Sequence, residues 1–386
     1  MRFISITILA ASLVFYTGCT KEDSKATNMD DGCFSTASTV NGQVIEGQYI
    51  VSYKSIGTGS VSKEELKQRA RETVLRKNIS SSAVRALFSG GGGGFVAALN
   101  KTQVEEIKND PAVEIVEPDR IIALNTCFTV AAPTLVTWNV TKVGYGDGTG
   151  KTVWIVDTGI DFEHPDLNVD IERSKSFVVE STSADDENGH GTHVAGIIGA
   201  KNNTIGVLGI ASNASLVALR VLDKEGKGKL SSVLQALSYI NTIAKPGDVV
   251  NLSFGEEEIS ETLDRQVQAI AAKGILFAIA AGNDAKSANL YSPGRVNGDN
   301  IFTVSAIDSL DNFASFSNHG NDVVDYAAPG IRILSTYTDG RYARMSGTSM
   351  ATPHLAGLLL LKGRNIGYSG FALSDPDGTP DKIAHK

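Results

Sequence analysis

A buried strand ends on a carboxylate in the stretch Val153-Trp154-Ile155-Val156-Asp157-Thr158-Gly159. Further apolar runs alternate with helical patterns along the chain, and the clearest of them are residues 215–221, 249–253, 275–280 and 301–306. Strands that are apolar on both faces and alternate with helices predict an α/β fold with a mainly parallel central sheet. Functional side chains in such a sheet lie at the carboxyl ends of strands, which is where Asp157 stands.

Three later segments each contain a residue suited to acyl-transfer chemistry. Residues 188–196 read Asn-Gly-His-Gly-Thr-His-Val-Ala-Gly around His190, residues 280–283 read Ala-Ala-Gly-Asn and end at Asn283, and residues 346–353 read Ser-Gly-Thr-Ser-Met-Ala-Thr-Pro around Ser349. Each alone has an ordinary structural explanation, because Asp and Asn are common turn residues and Ser commonly caps a helix. Their joint order resembles the subtilisin-like serine proteases, the subtilase family, and the triad order Asp, His, Ser is that of subtilisin itself.

The resemblance implies a role for each matching residue. Asp157 would orient His190, His190 would act as general base and then general acid, and Ser349 would be the nucleophile. Asn283 would donate a hydrogen bond to the oxyanion, together with the backbone N–H of Ser349. Two further matches imply the walls of a substrate cleft with an apolar primary pocket, namely Ser253, Phe254 and Gly255 on one side and Ala280, Ala281 and Gly282 on the other. Residues 289–293, Asn-Leu-Tyr-Ser-Pro, resemble the proteinase K branch of the family.

A structural calcium ion is also implied by the resemblance. Residues 164–167 read His-Pro-Asp-Leu and residues 202–207 read Asn-Asn-Thr-Ile-Gly-Val, which match the family's strong calcium site. The oxygen ligands would be the carboxylate of Asp166, the amide of Asn203 and the carbonyls of Lys201, Ile205 and Val207. An ordered loop without a metal is the alternative. Zinc on His190 and His193 is disfavoured, because no third ligand is evident and the family position that matches His193 is structural.

A small α+β domain is predicted in front of the protease, at residues 47–123. Its pattern is strand, helix, strand, helix, strand, at residues 47–53, 62–76, 94–99, 100–109 and 113–119. Residues 95–99 and 116–120 resemble the propeptide and inhibitor domain of many subtilases, which implies a ferredoxin-like fold and an intramolecular inhibitor. The glycine run 90–94 enters a strand and is not followed by Lys-Ser or Lys-Thr. A phosphate-binding loop, and with it a nucleotide-dependent enzyme, is therefore disfavoured.

The amino-terminal residues predict export. Residues 1–18 contain Arg2 and then an apolar run to Tyr16, which is typical of a signal peptide and too short for a membrane span. Residues 16–19, Tyr-Thr-Gly-Cys, resemble a relaxed bacterial lipoprotein box, so Cys19 is a predicted lipidation site, with a plain secreted precursor as the alternative. Residues 19–46 are rich in Asp, Ser, Thr, Asn and Gly and predict a flexible tether.

The remaining boundaries follow from the same resemblance. Residues 124–137 contain the predicted processing region and mature amino terminus, residues 138–373 form the predicted protease domain, and residues 374–386 are predicted to be a surface turn or tail. Cleavage is expected between about Ala123 and Pro133, because residues 138–143 align with the start of mature family members. Cys33 and Cys127 are free or paired, and a disulfide between them would hold the cleaved propeptide on the protease.

Composition narrows the class of protein. The chain has 386 residues, 42% of them hydrophobic, and a net charge of −8 without a Lys/Arg-rich stretch. A globular protein is expected, and an extended nucleic-acid surface is not. The sequence predicts an exported, autoprocessed bacterial serine endopeptidase, secreted or lipid-anchored at the cell surface, that acts on polypeptides as a monomer and needs no cofactor for catalysis. The alternative, from a different class, is a catalytically inactive surface binding protein on the same fold.

Overall fold

The computed structural model describes residues 26–28, 34–36, 40–55, 61–124, 127–130, 135–179 and 181–386. The predicted signal peptide, Cys19 and Cys33 lie outside these residues, so export, lipidation and the pairing of Cys33 with Cys127 stay predictions. Among the helices in the described ranges, none is long and apolar enough to cross a membrane.

The amino-terminal domain has helices on one face of an antiparallel sheet. Asn100 begins its second helix with a capping box, in which the Asn100 side chain accepts from Gln103 N and the Gln103 side chain accepts from Asn100 N. The helices and strands from residue 26 to residue 123 are β1 (Ala26–Asn28), β2 (Phe34–Thr36), β3 (Val44–Tyr53), α1 (Lys63–Arg76), β4 (Val84–Phe88), β5 (Gly94–Ala98), α2 (Lys101–Lys108) and β6 (Val113–Ala123). The sheet order β6-β3-β5-β4, with the chain order βαββαβ, is the predicted ferredoxin-like arrangement.

The carboxy-terminal domain alternates strands and helices. Its helices are α3 (Trp138–Val143), α4 (His190–Gly199), α5 (Leu230–Ile243), α6 (Glu261–Ala271) and α7 (Thr348–Lys362). Its strands are β7 (Cys127–Val130), β8 (Gly146–Asp147), β9 (Thr152–Asp157), β10 (Lys175–Ser176), β11 (Ala211–Ser212), β12 (Ser215–Arg220), β13 (Lys227–Lys229), β14 (Val249–Leu252), β15 (Leu276–Ala280), β16 (Ile301–Ile307), β17 (Val324–Pro329), β18 (Ile333–Tyr337), β19 (Arg341–Ser346), β20 (Gly367–Phe371) and β21 (Lys382–His385).

A nine-stranded sheet in the order β10-β12-β9-β14-β15-β16-β17-β21-β20 forms the centre of this domain within the described residues. Neighbouring strands run parallel except for β20 and β21, which are antiparallel. One face packs on α4 and α7 through residues such as Val194 and Leu355, and the other packs on α5 and α6 through residues such as Leu234 and Val267. The predicted mainly parallel sheet is confirmed, with a helical layer on each side.

The amino-terminal domain packs on the helical layer formed by α5 and α6. Ile50, Phe88, Val96 and Ile122 of the amino-terminal sheet are buried in the same apolar cluster as α5 and α6. The opposite face of that small sheet packs on its own helices. The amino-terminal domain therefore lies on α5 and α6 of the larger one, and this contact removes apolar surface of both domains from water.

Three expectations about the ends and elements of the domains need correction. The amino-terminal domain begins ahead of residue 47, because β3 starts at Val44 and Asn41 Nδ2 donates to the Gly255 carbonyl of the larger domain. The amino-terminal domain has a further strand, Val84–Phe88, beyond the predicted pattern. Residues 374–386 are not wholly a surface tail, because Lys382–His385 forms a strand between β17 and β20, and Ile383 and Ala384 are buried there.

Candidate active site

Asp157 and His190 meet at the carboxyl edge of the central sheet. Asp157 is the last residue of β9, and His190 is the first of α4. His190 Nδ1 lies 2.8 Å from Asp157 Oδ1 and 3.0 Å from Oδ2, and both side chains are buried. A Cβ at position 191 would lie 2.1 Å from the Gly159 carbonyl oxygen, so glycine at 191 permits this close approach. The carboxylate favours the tautomer with the proton on Nδ1, which leaves Nε2 as the basic nitrogen.

Ser349 lies in the first turn of α7, which begins after Gly347. Its Oγ donates to the Ser253 carbonyl at 2.8 Å, and the Ser253 hydroxyl donates to the Ser349 carbonyl at 3.0 Å. His190 Nε2 is buried and has no hydrogen-bond partner among the described residues. The link from Ser349 to His190 therefore requires the serine hydroxyl to turn away from the Ser253 carbonyl, a rearrangement that substrate binding commonly brings about.

Asn283 follows β15, and Thr348 orients its carboxamide. Asn283 Oδ1 accepts from Thr348 N at 2.7 Å and from Thr348 Oγ1 at 2.9 Å. The same threonine hydroxyl accepts from Gly282 N at 3.2 Å. Since its oxygen is engaged twice, the carboxamide can act on a ligand only through its Nδ2 donor.

A cavity of about 30 Å³ joins these residues to the predicted substrate cleft. Five of the predicted cleft residues line it with Asn283 and Ser349, and these are Ser253, Phe254, Gly255, Ala280 and Gly282. Ala281 is not among the residues that line this cavity; it is fully buried, its N–H donates to the Val304 carbonyl, and its carbonyl accepts from Asn318 Nδ2. Asp284, Tyr291 and Thr348 complete this wall and were not predicted from the sequence.

The chain's own segment before residue 125 fills the remaining side of the cavity. Ala123 and Leu124 line it, and β6 pairs antiparallel with β13 through residues 121–123 and 227–229. Leu124 N also donates to the Gly226 carbonyl at 3.0 Å. The amino-terminal domain thus lays an extended peptide beside Ser349, bound through its backbone as a substrate strand would be. The sequence gives no sign of β13, since Lys-Gly-Lys has no strand propensity of its own.

Comparisons with known families agree with this geometry. Residues 148–369 match the model of the subtilase family, and residues 48–125 match that of the peptidase inhibitor I9 family. The chain belongs to the subtilase family. It is a subtilisin-like serine protease by family, with an I9 inhibitor domain ahead of the subtilase domain.

Named relatives and a solved structure support the assignment. The chain is 36% identical over 331 residues to alkaline serine exoprotease A of Vibrio alginolyticus, which covers 82% of this chain and spans 60% of that relative's length. It is 36% identical over 341 residues to a thermophilic serine proteinase of Bacillus sp. strain AK1, covering 84% of this chain and 80% of the relative. A crystal structure of a cold-adapted subtilisin-like serine proteinase superposes with a TM-score of 0.58 at 33% identity, covering 65% of this chain and 98% of the other. The predicted subtilisin-like fold is confirmed.

The inhibitor domain caps two helices of the subtilase domain with carboxylates. Asp119 Oδ1 accepts from Ser231 N at 3.0 Å in the first turn of α5. Glu117 Oε1 accepts from Ser260 Oγ at 2.9 Å and from Thr262 N at 3.3 Å at the start of α6. The oxygen atoms of Glu117 and Asp119 accept hydrogen bonds from the first turns of these helices, and these contacts orient the inhibitor domain on the subtilase domain.

Two carboxyls of the subtilase domain are buried beside these caps, and we call Glu117, Asp119, Glu256 and Asp264 the interface carboxyls. Burial raises the pKa of each of them, that of Asp264 to about 6 and that of Glu256 well above its usual range. Asp264 is 2.9 Å from Arg295 Nε, whereas both oxygens of Glu256 have no hydrogen-bond partner among the described residues. The interface carboxyls therefore hold their protons more tightly than exposed carboxyls do.

His193 is a structural residue. It is fully buried, and its Nε2 lies 3.0 Å from the Ile333 carbonyl and 3.1 Å from that of Ala343. Burial lowers the pKa of His193 to about 3, so the ring is neutral and donates to these carbonyls. Among the described residues, no three or more His, Cys, Asp and Glu side chains lie together in a group that could hold a metal ion.

The predicted calcium ligands surround Asp166. This carboxylate is buried, its Oδ2 accepts from Val207 N at 2.9 Å, and its backbone carbonyl accepts from Lys201 N at 2.8 Å. A Cβ at position 206 would lie 2.0 Å from Asp166 Oδ2, so the glycine there lets the loop close tightly around the carboxylate. Asn203 Nδ2 donates to Asp166 Oδ1 at 2.8 Å while its Oδ1 accepts from Ile205 N. One carboxylate, one carboxamide and loop carbonyls fit a hard cation, provided that the carboxamide turns its oxygen inward.

Proposed function

We propose that this subtilase is made as a zymogen and hydrolyses peptide bonds by the Asp157, His190 and Ser349 triad, through an acyl-enzyme. The observation that carries the proposal is the position of Leu124, which lines the same cavity as Ser349 and Asn283 and directly follows β6, the strand that pairs with β13. The inhibitor domain thus occupies the cleft before processing, and it blocks other polypeptide substrates until it leaves. Its own chain is the first substrate, cut shortly after Leu124.

The described residues supply each proton transfer of this reaction. His190 Nε2 accepts the proton of Ser349 Oγ as the oxygen bonds to the scissile carbonyl carbon. The C–N bond then breaks, and His190 returns that proton to the leaving amine, which gives the acyl-enzyme. A water molecule gives a proton to His190 and attacks the ester, and Ser349 recovers its proton when the acid product leaves. Asp157 holds the imidazolium in place through the Nδ1 contact.

The developing oxyanion is held by Asn283 Nδ2 and by the backbone N–H of Ser349. Support comes from the two hydrogen bonds of Thr348 that orient the carboxamide and from the position of Ser349 at the amino terminus of α7. Phe254 and Ala280 line the same cavity as Leu124, and this apolar lining favours apolar side chains before the cut. Endopeptidase activity of broad specificity follows, because backbone pairing is tolerant of sequence.

A fluorophosphonate probe tests the nucleophile. After processing, the wild-type protein should be labelled, Ser349→Ala should not, and the exposed-site control Ser309→Ala should be labelled like wild type. Labelling that survives Ser349→Ala would overturn the nucleophile assignment. A folded, processed wild-type protein without label would support the alternative, an inactive binding protein on the subtilase fold.

Export of the precursor and lipidation at Cys19 are further parts of the proposal, and a monomer is expected. The proposals of export and lipidation rest on the sequence of residues 1–19. Mass spectrometry of secreted and membrane fractions would identify the mature amino terminus and any lipid on Cys19. Nonreducing electrophoresis of the processed protein tests the disulfide between Cys33 and Cys127, because a paired propeptide adds its mass to the mature band.

Calcium at Asp166 is proposed as a structural ion and not as a participant in the reaction. At a concentration about 100 times its Kd, it would stabilise the fold by about 2.7 kcal/mol. We expect EGTA to lower the melting temperature of the Ser349→Ala precursor, and Asp166→Asn to abolish the difference between calcium and EGTA. Asp170→Asn, in the same region but outside the ligand loop, is the control. Equal melting temperatures with and without calcium would contradict the calcium site and would mean that hydrogen bonds alone hold the loop closed.

A further inference from the structure

The cleft segment of the inhibitor domain is bound differently on its two sides. On one side, residues 121–123 pair with β13 by backbone hydrogen bonds. On the other side lies Asn41, which precedes β3. Its Oδ1 accepts from Ala123 N at 2.9 Å, and its Nδ2 donates to the Gly255 carbonyl at 3.0 Å. A single side chain therefore connects the segment next to the proposed cut with the opposite wall of the cleft.

The carboxamide of Asn41 takes the place of a peptide group between two strands. It offers one acceptor and one donor, and both are used in the directions that a backbone amide would use. The residues after it keep it in register: Gly42 N donates to the Ile121 carbonyl at 2.8 Å, and Ile121 N donates to the Gln43 carbonyl at 2.9 Å. Gly42 has a φ of +76°, which turns the chain so that the Asn41 side chain reaches into the cleft.

We infer that Asn41 is a positioning residue for self-processing: it holds residues 123 and 124 at the depth in the cleft where the following bond meets Ser349, and it retains that segment as an inhibitor after the cut. The inference rests on the proposed zymogen function. Because Asn41 bonds to the Gly255 carbonyl, it also keeps other polypeptides from pairing with that wall. Asn41 departs with the inhibitor domain, so it acts in the precursor and in the cleaved complex but not in the mature enzyme.

Removal of both hydrogen bonds should slow self-cleavage about tenfold, since each contributes modestly and the segment keeps its pairing with β13. Asn41→Asp separates hydrogen bonding from shape. It has the same size, but a carboxylate does not donate to the Gly255 carbonyl, so it should be as slow as Asn41→Ala or slower. Gln43→Ala is the matched control, because Gln43 is exposed and its backbone carbonyl, which the substitution keeps, accepts the hydrogen bond from Ile121 N.

The test follows conversion of the full-length precursor on gels, at several protein concentrations to isolate the intramolecular rate. The expected result is slow conversion for both Asn41 variants and wild-type conversion for Gln43→Ala. The kcat/KM of the mature enzymes on a peptide should not change. When Asn41→Ala is placed in the Ser349→Ala precursor, the urea midpoint should fall too little to account for the slowing. Conversion at the wild-type rate, or a lowered urea midpoint that accounts for the slowing, overturns the positioning role while leaving the protease function intact. A wild-type precursor that is neither cut nor labelled by fluorophosphonate after inhibitor removal overturns the proposed function, and this inference with it.

Discussion

In the proposed reaction, Asn283 would act through the Nδ2 atom of its side chain, since Thr348 donates two hydrogen bonds to the carboxamide oxygen. If Nδ2 donates to the oxyanion, it contributes in the transition state and little in the substrate complex. Asn283→Ala should therefore lower kcat about 10²–10³-fold with little change in KM, the range that the same donor gives in subtilisin.

The measurement needs enzyme whose propeptide is removed in trans by a trace of wild-type protease, because the variant itself processes slowly. Steady-state kinetics on a chromogenic peptide then give kcat and KM separately. Asn289→Ala is the control, because this asparagine bonds to Asp322 at the surface. A rise in KM at unchanged kcat would contradict the oxyanion role and assign Asn283 to substrate binding instead.

The sequence alone predicts the site of some functional residues but not of others. Asp157, His190, Asn283 and Ser349 were predicted because each lies in a short motif whose neighbours also shape the site, as Gly191 does for the Asp157 contact. Asn41 has no such motif. Its partners are 82 and 214 residues away in the chain, so only the packing of one domain on the other reveals what it contacts.

At the scale of elements, β21 is part of the central sheet, where it lies between β17 and β20. Ile383 is 1% exposed and packs with Ile307, Ala327 and Ala372. Ile383→Ala should destabilise the fold by about 2–5 kcal/mol, because it leaves a cavity beneath a strand that separates β17 from β20.

Urea unfolding of the Ser349→Ala precursor measures this without self-digestion. Leu373→Ala is the control: Leu373 is 53% exposed, and its loss should change the free energy of unfolding by less than about 0.5 kcal/mol. Equal effects of the two substitutions would mean that the last strand contributes no more to stability than a surface loop.

The elements that sequence patterns missed are those whose stability comes from neighbours. The apolar runs that contain β9, β14 and β15 are continuous and can be recognised from their composition, and Ser62, Asn100 and Ser260 mark helix starts by their capping hydrogen bonds. By contrast, β4 and β21 are as short as β15 and β14 but contain charged residues such as Arg85 and Lys382, and each pairs with a neighbouring strand. A strand of four or five residues shows little periodicity. Its formation therefore depends on pairing with a neighbouring strand and less on its own sequence.

At the scale of the whole molecule, the inhibitor domain lies against the proposed cleft, and we expect the interface carboxyls to make this contact depend on pH. Each of the four has a raised pKa through burial, and two of them come from each domain. Exposed carboxyls titrate near pH 4, whereas Asp264 in the interface titrates at about 6. Separation would expose Glu117 and Asp119 to water and bring their pKa values back towards the usual range, so we expect the complex to bind more protons than the separated domains do.

Protons must leave these groups as the domains separate, so a higher pH favours separation. Stability from the raised pKa values is fully present below about pH 4 and is lost as the pH rises through 6. After self-cleavage, the Kd of the inhibitor domain should rise about tenfold or more between pH 5 and pH 8, since one pKa unit in one group corresponds to tenfold. A precursor kept in mildly acidic conditions would stay inhibited and would open when it reaches neutral or alkaline surroundings.

Gel filtration of the self-cleaved complex at pH 5 and pH 8 tests this, with excess fluorophosphonate present to trap any protease that is released. The fraction of inhibitor domain that elutes with the protease should fall at the higher pH. Asp264→Asn should flatten the dependence, because it removes a titrating group while keeping its size and position. Asp299→Asn, whose carboxylate is 83% exposed, should leave the dependence unchanged. Dissociation that is the same at both pH values, or a slope unaffected by Asp264→Asn, would show that the interface carboxyls keep their protons or their charges in both states.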